Sequence, residues 1–316
     1  MTREVFLVEK PGLHTTIQDS GRFGFQQFGI VTSGVMDEYS YALSNLLVGN
    51  ERTAAVLEIH LFGPTLYVLD DVEIAICGAN VSPMVDGAPI PLWAVLKVKK
   101  NQRLSFGKPE EGKIAYVAIL GGFQAPTVLG SKSTYTKGRF GGIEGRTLQK
   151  GDRLFSEKRE GVIRRVRLST ALIPKFKEKK RIRVIVGPDE HLFSSQGFAT
   201  FFQSEYTISG QSDRMGYRLN GPSVEHKSSS NIVSDAVTFG TIQIPDNGKP
   251  MIMLADHQTT GGYSRIGTVI SVDLPYVVQK RDGDVISFSP IDIQTAQRER
   301  VQLETLLKMV STFLRH

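Results

Sequence analysis

Cysteine is almost absent: the 316 residues contain one, Cys77, inside an apolar run. One thiol excludes an internal disulfide and a cysteine-based zinc site. It also fits a reducing compartment, so a cytoplasmic protein is expected. The six histidines, His14, His60, His191, His226, His257 and His316, show no metal-ligand spacing, and no metal site is expected. No apolar run approaches the roughly 20 residues of a membrane span, and the N-terminus lacks a signal-peptide core. The glycine-rich stretch G-R-F-G-G at 138–142 lacks the trailing Lys-Ser/Thr of a phosphate-binding loop, so no nucleotide motif is found in the chain. A Met-Lys-Met biotin-attachment sequence is missing as well.

Aromatic residues are scarce where positive charge is dense. Positions 157–183 hold eleven Lys and Arg against Glu157, Glu160 and Glu178. That segment carries a net charge of +8 against +6 for the whole chain, so the remainder sums to about −2. A nucleic-acid binder interleaves its basic residues with stacking aromatics, and Phe176 is the only aromatic here. The segment reads as a solvated linker, with an anionic patch on a binding partner as the second reading.

What the chain does have is a polar cluster between two apolar runs. D-H-Q-T-T-G-G-Y at 256–263 sets an acid, an imidazole, an amide, two hydroxyls, two glycines and a phenol in eight residues. Apolar residues at 250–255 and 266–270 flank it as strand-type segments. Paired glycines let a backbone approach closely, which suits a ligand loop; a turn whose side chains cap its own backbone is the plainer reading. Two more clusters tip the balance. Q-D-S-G-R-F-G-F at 18–25 and Q-S-D-R-M-G-Y at 211–217 each place an acid near an arginine, followed by glycine and an aromatic. A carboxylate can hold a guanidinium fork rigid and leave its outer donors for an anionic oxygen. The alternative is a pair that merely pins a loop. Taken together, the three clusters point to one composite site.

Those clusters belong to an internal duplication. Gly63-Pro64-Thr65-Leu66 in the first half answers Gly240-Thr241-Ile242 in the second. Gly121-Gly122-Phe123 answers Gly261-Gly262-Tyr263, and Gly151-Asp152 answers Gly283-Asp284 before a closing strand. The landmarks recur in one order with unequal spacing, which indicates two homologous domains. A chain of 316 residues also exceeds the size of a single core. Short apolar runs between Gly, Pro, Asn and Asp predict β-barrels or sandwiches in each half. Few helices are expected, among them one at 36–47, with Tyr39, Ala42, Leu43, Leu46 and Leu47 on one face, and one at 291–314. The expected divisions are a β-domain over 1–156, a basic linker over 157–180, a second β-domain over 181–290 and a C-terminal helix over 291–316.

The chain resembles the carboxyltransferase family that includes the C subunit of bacterial 5-oxoprolinase, the second half of the urea carboxylase carboxyltransferase (allophanate hydrolase subunit 2-like) and the antagonist of a sporulation-kinase inhibitor. The matching pieces are T-T-I-Q-D-S-G-R (15–22), S-G-V-M-D (33–37), N-L-L-V-G-N (45–50), L-E (57–58) and F-G-P-T-L (62–66). S-D-R-M-G-Y-R-L (212–219), G-T-I-Q-I-P (240–245) and D-H-Q-T-T-G-G-Y (256–263) complete them. Ser264 departs from an expected Pro, Ser44 from an expected Ala, and His257 stands where the family often has Arg.

The resemblance implies a mainly β chain of two tandem cyclophilin-like β-barrels with few helices. It implies two partners, the smaller B subunit and the A subunit of 5-oxoprolinase, with which 5-oxoproline is opened to L-glutamate as the complex hydrolyses ATP. The implied alternatives are carboxyl transfer from carboxybiotin to urea or a related amide, and a non-catalytic role as antagonist of a B-like kinase inhibitor. Asp19, Arg22, Asp213, Arg214 and Asp256 are the expected catalytic residues. The arginines would hold anionic oxygen, and the acids would orient them or accept an amide proton. Gln18, Ser33, Asp37, Tyr217, His257, Gln258, Thr259, Thr260, Gly261, Gly262 and Tyr263 are the expected substrate-binding residues.

Overall fold

A computed structural model describes residues 2–159 and 166–315. Glu160, Arg164 and Arg165 of the basic segment lie outside the described residues. The chain divides into two compact units, one of Met1–Arg22, Ser33–Lys175 and Leu306–His316, the other of Phe23–Thr32 and Phe176–Thr305.

The first unit is built from two sheets. One runs, in spatial order, Phe123–Gln124, Arg153–Glu157, Thr2–Lys10, Thr65–Val68, Arg103–Phe106, Pro83–Val85 and Ala88–Pro89. The other runs His14–Gln18, Val56–His60, Glu111–Ile119, Val72–Asn80 and Val95–Val98. Alternating apolar residues of both sheets meet in one core, with Phe6, Val8, Leu66 and Val68 from the first and Ile17, Leu57, Ile74, Ile76 and Val117 from the second. Each such side chain stabilises the unit by about 1.5–3 kcal/mol.

Alternation in the run from Val72 to Cys77 predicts one buried and one half-buried face. The structure buries both: Ala75 and Cys77 are as inaccessible as Val72, Ile74 and Ile76. The helix Glu38–Leu47 covers the second face, packing on Val72–Asn80 and Glu111–Ile119. That helix is consequently buried nearly all round, Ser40, Ser44 and Asn45 included. Its buried amide is answered by neighbours. Asn45 Nδ2 donates to the Ala54 carbonyl at 2.8 Å, and Asn50 Nδ2 donates to Asn45 Oδ1 at 3.0 Å and to the Ile119 carbonyl at 2.8 Å.

The second unit holds one eight-stranded sheet in the order Arg181–Val186, Val285–Pro290, Glu205–Ile208, Gly216–Asn220, Met251–Met253, Thr241–Ile244, Thr260–Val269 and Asn231–Ala236. Arg181–Val186 also pairs with Thr260–Val269, through Val184 opposite Val269, so seven of the strands close into a ring of pairings. The helix Ser195–Gln203, capped by Ser194 Oγ on the Gly197 amide, lays Phe201 on Phe288 with ring centroids 4.5 Å apart. The C-terminal helix runs Ile293–Arg315 and buries Ala296 and Leu307.

The duplicated landmarks differ in how far they agree. Gly151-Asp152 and Gly283-Asp284 form the same turn. Each glycine is left-handed, with φ of 94° and 84°. Each aspartate accepts the amide three residues back, Gln149 or Arg281, and each turn makes two backbone bonds to the strand beside it, at Val8 or Ile208. The glycine pairs do not match. Gly121 and Gly122 sit in a left-handed turn at φ 89° and 66°, whereas Gly261 and Gly262 are extended residues inside Thr260–Val269.

The basic segment is less solvated than its composition predicts. Phe176 is buried, and the Lys280 ammonium donates to its carbonyl at 2.8 Å. Lys179 and Arg183 converge on Asp273, a fully buried acid that also accepts the Arg183 amide at 2.9 Å. Burial alone raises the Asp273 pKa, but the bonds from Arg183 and Lys179 outweigh it and hold the carboxyl below the usual range.

Cys77 is fully buried, and burial, with Asp37 adding to it, pushes its thiol pKa well up. The native protein should therefore react with a disulfide reagent at pH 8 only at the rate of unfolding, and Cys77→Ala should cost about 1 kcal/mol. Stopped-flow labelling and urea melts check both. Rapid labelling of the folded protein would contradict the burial.

Candidate functional site

The candidate residues fall into one cluster in each unit. In the first, Gln18 ends the buried strand His14–Gln18 and Asp19 opens the turn after it. Asp19 Oδ1 accepts from the Gly21 amide at 2.9 Å and from the Ser131 and Ser133 hydroxyls at 2.6 Å each. Its Oδ2 accepts the Lys132 amide at 2.6 Å. The acid therefore knots the segment 131–133 to the turn and does not clamp Arg22, as the spacing predicts.

Arg22 is 1% exposed. Its Nη2 donates to the Ser133 carbonyl and its Nε to the Val128 carbonyl, while Cζ lies 4.8 Å from the Phe140 ring centroid. The G-R-F-G-G stretch thus wraps a guanidinium. A Cβ on Gly141 would lie 2.0 Å from the Ser133 carbonyl oxygen and 2.8 Å from Arg22 Nη2, so only glycine fits. Gln18 Nε2 and Ser33 Oγ both donate to the Thr134 carbonyl at 3.0 Å. Ser33 holds a left-handed backbone at φ 56°, a strained conformation for a residue with a Cβ.

Asp37 caps the helix Glu38–Leu47, accepting the Ser40 amide at 2.9 Å and the Ser40 hydroxyl at 2.6 Å. It is fully buried and committed to that cap, so it does not face a substrate as expected. Behind it lies a network that periodicity gives no sign of. The Asp37 amide donates to the Tyr116 hydroxyl, which donates to Glu58 Oε2, each at 2.8 Å. Glu58 Oε2 also accepts the Met36 amide, and Oε1 meets His60 Nε2, again at 2.8 Å. Burial, reinforced by Glu58 and Asp37, raises the Tyr116 pKa well above its ordinary value and keeps the phenol neutral.

In the second unit Arg214 has a bidentate partner, and it is Asp256. Nε meets Oδ2 and Nη2 meets Oδ1, both at 3.0 Å, with both groups buried. The Asp256 amide donates to the Arg214 carbonyl at 2.9 Å and the Leu254 amide to the Met215 carbonyl at 2.9 Å, strapping the two loops together. The neighbouring Asp213, expected to hold Arg214, accepts the Met215 amide at 2.8 Å in a local turn and is exposed. Tyr217, expected at the substrate, is buried with its hydroxyl on the Val278 carbonyl at 2.9 Å.

The polar motif is half loop and half strand, since Thr260–Val269 already includes Thr260, Gly261, Gly262 and Tyr263. Gly261 pairs with Asp235, and a Cβ there would lie 2.5 Å from Gln243 Nε2. Gln258 Nε2 is 3.4 Å from Gln243 Oε1. Gln258 and Thr259 are partly accessible, Thr260 and Tyr263 exposed. His257 is buried, with Nδ1 2.6 Å from the Gln258 carbonyl. Burial lowers its pKa against the opposing pull of that carbonyl and of Asp256, so the ring is neutral near pH 7. Among the described residues no group of three or more His, Cys, Asp or Glu is disposed to hold a metal.

The family model described as "Carboxyltransferase domain, subdomain A and B" matches residues 28–290. The chain is 36% identical over 295 residues to the 5-oxoprolinase C subunit of Haemophilus influenzae, covering 93% of this chain and 94% of that protein. It is 36% identical over 291 residues to the 5-oxoprolinase C subunit of Escherichia coli, covering 92% and 93%. Among solved structures it is similar to the urea carboxylase of Kluyveromyces lactis, with a TM-score of 0.91 and 31% identity. That match takes in 97% of this chain and 29% of the other, so the chain spans under a third of that protein's length.

The depressed His257 pKa makes a pH prediction. The unfolded ring titrates near 6.5 and the folded ring below it, so the unfolded state binds more protons as the pH drops under 6.5. Stability should therefore fall from pH 7 towards the folded pKa. His226, held below 6.5 by burial against Asp246, acts in the same sense. The double variant His226→Gln/His257→Gln should flatten that decline in urea melts between pH 7.5 and 5.5. A wild-type slope surviving in the double variant would refute the assignment.

Proposed function

The chain belongs to the carboxyltransferase family whose domain is built of subdomains A and B, and from that membership we propose that it is the C subunit of an ATP-dependent 5-oxoprolinase. The carrying observation is the match to the 5-oxoprolinase C subunits, which runs nearly end to end in both chains. With the A and B subunits the complex would open the 5-oxoproline lactam to L-glutamate, adding the elements of water across the C–N bond. This chain would be inactive alone, and its B and A partners would complete the enzyme.

The accessible groups for holding an amide or lactam lie in the second unit: the Gln258 amide, the Thr259 and Thr260 hydroxyls and the Tyr263 phenol. These supply both donors and acceptors to a lactam, whose own edge presents one of each. The buried Arg214–Asp256 pair would set the loop that carries Gln258 and Thr259. In the first unit Asp19 and Arg22 would hold the 131–134 segment against Gln18 and Ser33 in the same supporting way. ATP does not fit the glycine-rich stretch at 138–142, because its backbone closes on Arg22 and Ser133 where a phosphate would need room.

Transfer of a carboxyl group from carboxybiotin to urea is the second reading, favoured by the close structural match to the urea carboxylase. It would need a biotin carrier encoded elsewhere. Identity to the 5-oxoprolinase C subunits is higher, which ranks the lactam first.

Co-expression with the B and A subunits tests the proposal. The chain and its B partner should co-elute on gel filtration, and 5-oxoproline should stimulate ATP hydrolysis only when all three are present. Separate elution, or stimulation by urea with a biotin carrier and not by 5-oxoproline, would overturn it.

Arg22→Lys and Arg214→Lys keep the charge and lose the planar fork. Each should lower turnover of the assembled complex by roughly 10²-fold or more. Melting temperature and specific activity are measured together on each variant. A lowered melting temperature with normal specific activity of the folded fraction would reduce these arginines to loop pins.

A further inference from the structure

A cleft of about 420 Å³ opens in the first unit among Pro83, Met84, Ile90, Leu92, Trp93 and Ile173, with Arg167, Glu110 and Asn80 contributing its polar atoms. That volume falls in the range of small-molecule sites, and the mix of apolar walls with a few polar groups is the composition such sites have. None of the residues assigned above to the candidate clusters lines it. The construction of its wall is specific. Trp93 takes a left-handed backbone at φ 57°, which costs energy for a residue with a large side chain. Its amide is held by the Ile76 carbonyl at 2.8 Å. On either side of Arg167, the Val95 amide donates to the Val166 carbonyl and the Leu168 amide to the Trp93 carbonyl, each at 2.8 Å. Two backbone bonds thus fix Arg167 opposite Ala94 and beside Trp93.

The charges in this cleft are not equivalent. Glu110 is engaged, accepting Asn80 Nδ2 at 2.7 Å and the Ser82 hydroxyl at 3.3 Å. The Arg167 side chain is exposed and makes no hydrogen bond or ion pair among the described residues. A guanidinium at an apolar cleft with no counter-ion among the described residues is suited to an anion that carries an apolar body. We propose that this cleft binds a small apolar carboxylate, its aryl or alkyl portion against Pro83, Met84, Ile90 and Ile173 and its carboxylate on Arg167.

Trp93 is the only tryptophan in the chain and lines the cleft, so intrinsic fluorescence reports occupancy directly. The probes are 4-phenylbutyrate and 4-phenylbutan-1-ol, which share a skeleton and differ in the charged group. The wild-type protein should show a saturable change in Trp93 emission with the acid, at a midpoint roughly tenfold or more below that of the alcohol, as a charge-assisted contact supplies. Arg167→Met should bring the acid to parity with the alcohol and leave the melting temperature unchanged, since the side chain makes no bond among the described residues that it would release. Ile90→Asp, aimed at the apolar wall, should weaken both probes together. The absence of a saturable change, equal midpoints in the wild type, or a preference for the acid that survives Arg167→Met would each overturn the proposal. None of these outcomes depends on turnover of 5-oxoproline.

Discussion

A carboxylate removed from water must be met by donors, and the first unit is arranged around meeting one. Glu58 is fully buried in the strand Val56–His60, and its Oε2 receives both the Met36 amide and the Tyr116 hydroxyl at 2.8 Å. An unanswered charge in that position would cost several kcal/mol. The bonds that answer it come from the turn entering the helix Glu38–Leu47 and from the neighbouring strand Glu111–Ile119. They therefore fix where the helix starts, and the helix in turn seals the outer face of Val72–Asn80. Ser33 and Gly34 sit a few residues upstream of the same turn. A Cβ on Gly34 would lie 2.9 Å from the Gly21 backbone, so the segment that meets Glu58 also presses against the Asp19–Arg22 turn. The start of the helix and its docking over the second face are tied to this one acid.

What was legible in the residues was local. Asp37 followed by Ser40 announces a helix start, and the helix begins at Glu38 with that cap in place. Apolar runs bounded by Gly, Pro and Asn became strands because the same local rules hold in the folded chain. Partner choice was not legible. Adjacent sequence pairs Asp213 with Arg214, while Asp213 accepts the Met215 amide of its own turn. Asp256, remote in sequence, arrives opposite Arg214 through strand register, and register emerges only when the sheet forms. The same limit applied to Asp19, whose partners at 131–133 lie more than a hundred residues away. Serines in S-K-S-T carry no local signal of such a task. Tyr217 shows a related limit. Its place after a polar motif resembled a site, but strand alternation turned it inward to the Val278 carbonyl.

The two units show which parts of a duplicated pattern geometry preserves. The Gly-Asp turn is kept down to its hydrogen bonds, because its aspartate, its left-handed glycine and the strand beside it form a closed set that tolerates little change. The Asp-Arg motif is kept in composition and not in contacts. Arg22 bonds backbone carbonyls and stacks on Phe140, while Arg214 is paired with a carboxylate. A guanidinium offers five donors in one plane, so it can be satisfied by carbonyls or by an acid with equal regularity. Motif recurrence therefore marks a similar position without identifying the partner.

Glycine in these clusters serves clearance more than flexibility. Gly141 has to be left-handed and bare because the Ser133 carbonyl and the Arg22 guanidinium occupy the space a Cβ would take. Gly261 is extended, a conformation open to any residue, and a Cβ there would displace the Gln243 amide, whose Nε2 lies 2.5 Å away. In one unit the missing side chain admits a buried cation and in the other a buried amide. Both polar groups lie in cores where they could not otherwise reach their partners. A substitution at either glycine would act first on the polar side chain it makes room for, and through it on the loop or strand that the side chain holds. The glycines of the candidate clusters are thus part of how buried polar groups are satisfied, the same constraint that Glu58 imposes on the helix and its turn.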